Sequence, residues 1–187
     1  MRSRNSTFLA LWLVAIALTV QLPVRAQSSS MSTPPPCLST QHRQFDFWLG
    51  AWDVSDPKGK LVGHSRIDSI LGGCVLLENW DSTSAFAGKS FNLYNGDTGR
   101  WEQFWVDQTG SRLHLVGGLI GNEMVLRGIQ DKPDARSKLA RHERITWTPN
   151  ADGSVRQLWE TSNDDGKTWA VNFDGLYRRA ATASQDD

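Results

Sequence analysis

Apolar and polar residues alternate in short runs along most of this 187-residue chain, with Gly, Asn or Asp between the runs. A period of two places one set of side chains on a buried face and the other on a wet one, so the pattern predicts β-strands. The runs place them near 46–55, 60–70, 74–81, 89–95, 100–107, 111–117, 122–129, 140–147, 154–161 and 168–178. Turn signals separate them, among them Asp56-Pro57-Lys58-Gly59, Asn95-Gly96-Asp97-Thr98-Gly99, Thr109-Gly110, Gly121-Asn122 and Asn150-Ala151-Asp152-Gly153. Nearly every connection has hairpin length. The longer link, Gln130 to Lys138, carries Pro133 and mixed charges and reads as a mobile loop. Sustained 3.6-residue periodicity is absent, so helix should be minor, with Ser39 to Phe45 the candidate for a single turn. About ten sequential strands predict an all-β, antiparallel up-and-down barrel, because closing the meander removes its edges. A β-sandwich is the alternative.

Two segments stand out from the alternation. Phe45 to Val54 reads FDFWLGAWDV, a dense aromatic run that the pattern assigns to the first strand. Ser162-Asn163-Asp164-Asp165-Gly166-Lys167-Thr168-Trp169 matches S-x-D-x-G-x-T-W, the Asp-box. In that turn the Asp and Ser side chains bond the backbone, the Gly takes the awkward dihedral and the Trp packs beneath. A single copy is read as structural.

The first 26 residues change the picture of where the chain works. Arg2 and Arg4 precede the apolar run Phe8 to Val20, and Val24-Arg25-Ala26 is a small-residue cleavage site. This is a secretory signal; the run falls short of the roughly 20 apolar residues of a membrane span. The organisation is then a signal at 1–26, a Ser/Pro-rich lead-in at 27–40, a barrel at 41–179 and a disordered tail at 180–187. The expected destination is the periplasm or the outside of the cell. Cleavage removes Arg2, Arg4 and Arg25 and no acid, leaving 17 bases against 20 acids, a net −3. No basic field remains to attract nucleic acid. Charges on both strand faces and a non-aromatic end argue against an outer-membrane barrel. Two cysteines, Cys37 and Cys74, in an oxidising compartment favour a disulfide.

Catalytic signatures are missing: the chain has no G-x-S-x-G, H-E-x-x-H, P-loop or G-x-G-x-x-G. The histidines, His42, His64, His114 and His142, are scattered without metal-ligand spacing, and no metal is expected. Polar residues instead share strand faces with aromatics: Glu78 with Trp80, Asn92 with Tyr94, Gln103 with Trp105, and Gln157 with Trp159. His142 with Arg144, and Asn172 with Asp174, extend the set. If those faces point inward, the barrel holds an aromatic cavity with hydrogen-bonding groups, as ligand pockets do. Pointing outward, they are an ordinary solvated face, and a one-residue slip exchanges the two readings.

Cys37, the FDFWLG run, Gly73-Cys74, Glu78-x-Trp80, Ser90-x-Asn92-x-Tyr94, Trp101-x-Gln103-x-Trp105, Arg144-Ile145-x-Trp147 and Phe173-Asp174-Gly175-x-Tyr177 together cover nearly all of the exported portion. They resemble a family of exported bacterial proteins with an FDFWLG-x-W opening, related to lipocalin-like (calycin) barrels. Gly50-x-Trp52 is similar to the G-x-W of lipocalin first strands, where the Trp closes one barrel end. The resemblance implies the barrel and the export, and it brings no reaction. Nitrobindin-like haem barrels are structural cousins with a proximal His on a late strand. The last two strands here contain no His, so no cofactor is expected.

The leading expectation is a binding module for a small, partly apolar ligand. Trp80, Trp105 and Trp159 would form its walls, Asn92 and Gln103 would fix orientation, and Arg144 would favour an acidic group. The competing readings are an envelope interaction protein with a filled core, and an enzyme using Glu78 or Asp174 as general base.

Overall fold

Ten strands follow one another along the chain: β1 (Gly50–Ser55), β2 (Leu61–Ile70), β3 (Val75–Ser82), β4 (Ala87–Asn95), β5 (Arg100–Asp107), β6 (Arg112–Ile120), β7 (Glu123–Ile129), β8 (His142–Pro149), β9 (Val155–Ser162) and β10 (Ala170–Arg179). The computed structural model describes residues 37–130 and 139–181. The signal expected at 1–26, most of the expected lead-in at 27–40 and of the Gln130–Lys138 link, and all but the first two residues of the tail expected at 180–187 lie outside the described residues. Each strand pairs antiparallel with the next, and β1 pairs with β10 from Trp52↔Arg179 to Ser55↔Leu176, closing the barrel. The closure leaves no sheet edge to template aggregation.

Alternation decides which face is inside. On β8, Glu143, Ile145 and Trp147 are buried, while His142, Arg144 and Thr146 alternate with them on the outer face. The outer face carries cross-strand pairs of opposite charge: Arg144 with Glu160 at 2.8 Å, Arg156 with Asp174 at 2.8 Å, and His114 with Glu102 at 2.9 Å. Turn carboxylates and amides hold the hairpins. Asp56 Oδ1 accepts the amides of Lys58 and Lys60, both at 2.9 Å, and Asn95 Oδ1 accepts those of Asp97 and Thr98.

The aromatic opening departs from the predicted strand. Strand β1 begins at Gly50, and Asp46–Trp48 forms a 3-10 turn, following another at Thr40–Arg43. Three residues per turn place Phe45 and Trp48 on the same side, where a strand would have sent them to opposite faces. Both are fully buried and plug one end of the barrel. Phe45 stacks on Trp48 at 5.0 Å and meets Trp101 and Trp147 edge-on at 5.6 and 5.1 Å. Such pairs add roughly 0.5–1.5 kcal/mol each beyond their burial. Trp52 Nε1 donates to Trp48 O at 2.8 Å, and Trp101 Nε1 to Gln44 Oε1 at 3.1 Å, which fastens the plug to β1 and β5. Gly50, at φ 123°, lets the chain swing from plug to strand; a Cβ there would lie 2.0 Å from Arg179 Nη1. The Cys37–Cys74 disulfide ties the segment before the plug to the β2–β3 connection, as expected.

Candidate ligand cavity

The other half of the barrel is hollow. A cavity of about 350 Å³ opens at the end opposite the plug, where the β1–β2, β3–β4, β5–β6 and β9–β10 hairpins lie. Its size falls at the low end of the roughly 300–1,000 Å³ typical of small-molecule sites.

A repeated local pattern builds it. Strands β3, β5 and β9 all run from the plugged end toward the mouth, and each carries polar-x-Trp on its inner face. The polar residues Glu78, Gln103 and Gln157 therefore sit deep, and Trp80, Trp105 and Trp159 stand above them toward the mouth. Phe86, Phe173, Val62 and Leu113 complete the apolar wall, with Ser82 and Asn172 adding polar groups at the rim. Tyr177 forms part of the floor, backed by the plug ring Trp48 at 6.1 Å and by Trp52 of β1 at 6.3 Å. Its hydroxyl donates to Gln157 Oε1.

Glycines let the indoles lie flat against the sheet. A Cβ at Gly88 would fall 2.2 Å from the Trp105 ring, and one at Gly63 2.6 Å from Trp80. Side chains at those positions would push the rings into the space they border.

The floor is an ordered hydrogen-bond network. Gln103 Nε2 donates to Asn92 Oδ1 at 2.9 Å, and Asn92 Nδ2 donates to Ser90 Oγ at 2.8 Å. Ser90 Oγ donates in turn to Glu78 Oε2 at 2.7 Å, while Ser65 Oγ reaches Glu78 Oε1 at 3.4 Å. Burial pushes the Glu78 carboxyl up to about 7, against the opposing pull of the Ser90 and Ser65 hydroxyls. Burial, and secondarily the neighbouring Glu78, raises the Tyr177 hydroxyl well above its ordinary value of 10.

The structure sorts the expected site residues into four groups. Glu78, Trp80, Gln103, Trp105, Gln157 and Trp159 line the cavity. Asn92 is buried behind them and orients Ser90 and Gln103. Tyr94 sits at the plugged end, beside the His42 ring at 5.2 Å and Trp101 at 6.2 Å, because β4 runs the opposite way and carries it away from the mouth. Arg144 and Asp174 correct the expectation that their faces turn inward. Arg144 lies outside, paired with Glu160 and 4.2 Å above the Trp169 ring, and Asp174 takes two bonds from Arg156. The parity is fixed by neighbours with more apolar surface to bury, Ile145 and Trp147 on β8 and Tyr177 on β10, and a register shift between Val171 and Phe173 separates Asn172 at the cavity rim from Asp174 on the outer face.

Glu143 was not anticipated. It is fully buried inside β8 and accepts from Thr161 Oγ1 and Gln130 Nε2, both at 2.8 Å, and from Trp159 Nε1, with Arg141 Nε 2.9 Å away. It thus anchors one cavity wall. Its signal was available, two residues before Ile145 on the same face. The Asp-box folds as expected: Asp164 Oδ1 accepts the Thr168 amide at 2.9 Å, and Ser162 Oγ that of Gly166 at 2.9 Å. Among the described residues no cluster of His, Cys, Asp or Glu has the form of a metal site.

No family model and no curated protein matches the sequence. The closed ten-stranded meander is compatible with a lipocalin-like fold.

Proposed function

We propose that the chain is an exported, barrel-type binding module for a small, partly apolar molecule, allied to the calycin barrels. The observation that carries this reading is the open aromatic cavity above a polar floor, at the end of the barrel that the plug leaves free. A disulfide and the absence, among the described residues, of a helix long and apolar enough to cross a membrane are compatible with export. With Arg144 on the outer surface, the argument for an acidic ligand loses its carrier. An envelope protein with a filled core is the weaker reading, since half the interior is hollow.

The neutral fluorophore N-phenyl-1-naphthylamine tests the proposal. Uptake with quenching of tryptophan emission is expected. Gly88→Ala, which drives the Trp105 ring toward the cavity, should weaken uptake about tenfold, equivalent to about 1.4 kcal/mol. Absence of uptake by the wild type, or uptake indifferent to Gly88→Ala, would overturn the assignment.

One observation favours a second reading, general-base catalysis by Glu78: its carboxyl, near 7, faces the cavity. Asp174 leaves this reading with its place outside. Turnover of an ester, lactone or isomerase substrate that disappears in Glu78→Gln would establish it over simple binding.

A further inference from the structure

We propose that the cavity takes a small organic cation, its ammonium group held at the Glu78 carboxylate and its apolar body lying between Trp80, Trp105 and Trp159. The proposal rests on the binding reading above and narrows it to one ligand class.

Glu78 is the charged side chain among the residues that line the cavity, and it is only 3% exposed. The other buried acid of the interior, Glu143, has Arg141 beside it, and the outer acids Glu160 and Asp174 have Arg144 and Arg156. Glu78 has hydroxyls alone, from Ser90 and Ser65. A carboxylate desolvated without a counter-charge is costly, and a cation delivered through the open mouth would remove that cost.

The network behind Glu78 points the same way. Gln103, Asn92 and Ser90 each donate a hydrogen bond in the direction of the carboxylate, so this network ends on Glu78 with a neutral donor and contains no positive group. One hydroxyl on each oxygen leaves acceptor capacity for further donors. The walls agree: indole faces attract cations and repel anions, by about 0.5–2 kcal/mol per well-placed ring. An anion would meet both the ring faces and Glu78. A neutral apolar molecule would leave the carboxylate uncompensated.

The groups facing Glu78 are Ser65 on β2, Ser90 on β4, Gln103 on β5, Gln157 on β9 and Tyr177 on β10. Of these only Tyr177 titrates, and its raised pKa keeps it neutral. Glu78 is therefore the group whose ionisation governs binding. Because burial lifts its carboxyl to about 7, a cation arriving at pH 6 displaces a proton.

Calorimetry on the oxidised protein with 2-phenylethylammonium, 2-phenylethanol and phenylacetate separates the possibilities. The amine should bind at least about tenfold tighter than the alcohol, as expected for a charge-assisted bond replacing a neutral one, and phenylacetate weakest. At pH 6, titrations in two buffers of different ionisation enthalpy should show proton release with the amine and none with the alcohol. Glu78→Gln should bring the amine down to the alcohol's affinity. If that variant does not fold, the wild type's ranking of the three probes still decides. Alcohol or phenylacetate binding as tightly as the amine, or amine affinity unchanged in a folded Glu78→Gln, would overturn the cation assignment and leave the cavity reading standing. Failure of all three probes and of N-phenyl-1-naphthylamine would overturn both.

Discussion

Two buried glutamates on inner faces of the same barrel behave differently because their partners differ. Glu143 is surrounded by donors from Gln130, Trp159 and Thr161, with Arg141 in ion-pair contact. Removing the carboxylate strands a partly buried guanidinium and three donors. Glu143→Ala should therefore lower stability by about 3–5 kcal/mol, seen as a fall in urea midpoint at unchanged slope. Glu78 has only hydroxyls, and its consequence is a pH dependence. Its folded pKa of about 7 lies above the ordinary 4.5, so the native state binds the proton more tightly than the unfolded chain does. That contribution is present at low pH and is lost as pH rises from about 4.5 to about 7, then levels off; its size is about 3 kcal/mol. Urea midpoints across that interval should fall with rising pH in the wild type, and Glu78→Gln should remove the fall. A wild-type profile that rises through the window would mean that Glu78 is ionised and well paired.

Hairpins are the element most fully written in the sequence. Each carries its own turn chemistry, and all ten strands lie near their predicted places because a meander needs no information from distant parts of the chain. The aromatic opening departs from its local pattern for the opposite reason. Local alternation favours a strand over 46–55, but the end of a closed barrel needs a plug, and Phe45 and Trp48 supply it by adopting a 3-10 turn. That requirement belongs to the closed barrel and is invisible in a ten-residue window. The plug's tether is testable. With a sequence separation of 37, the Cys37–Cys74 bond restricts the unfolded chain by roughly 4 kcal/mol on chain-entropy grounds. Replacing both cysteines with Ala should lower the thermal midpoint markedly while leaving the far-UV β-sheet spectrum intact. Loss of the sheet spectrum at low temperature would mean that the plug is needed for closure itself.

Across the whole molecule, one end is filled and the other hollow, and strand direction converts a one-dimensional pattern into that asymmetry. Polar-x-Trp on β3, β5 and β9 puts polar groups at the floor and indoles above, so those six residues were legible as a set. Asn92-x-Tyr94 looks alike in sequence, yet β4 runs the other way and Tyr94 joins the plugged end. Alternation alone allows Arg144 and Asp174 either face, and Ile145, Trp147 and Tyr177, on the opposite parity of the same strands, have the larger claim to the interior. The same asymmetry predicts opposite outcomes for two tryptophans. Trp48 is fully buried among Phe45, Trp147 and Tyr177, so Trp48→Ala opens a void in packed aromatic core and should cost about 3–5 kcal/mol. Trp105 is half-buried and already borders empty space, so Trp105→Ala merely enlarges an existing cavity and should cost less than half as much. Ligand capture should reverse the order. Trp105→Ala should lose most N-phenyl-1-naphthylamine uptake at a temperature where both variants remain folded, while Trp48→Ala, at a position behind Tyr177 and outside the lining, should retain it. Equal destabilisation by the two changes would mean that the mouth half is packed like the plug, and the division of the barrel into a filled and a hollow half would have to be abandoned.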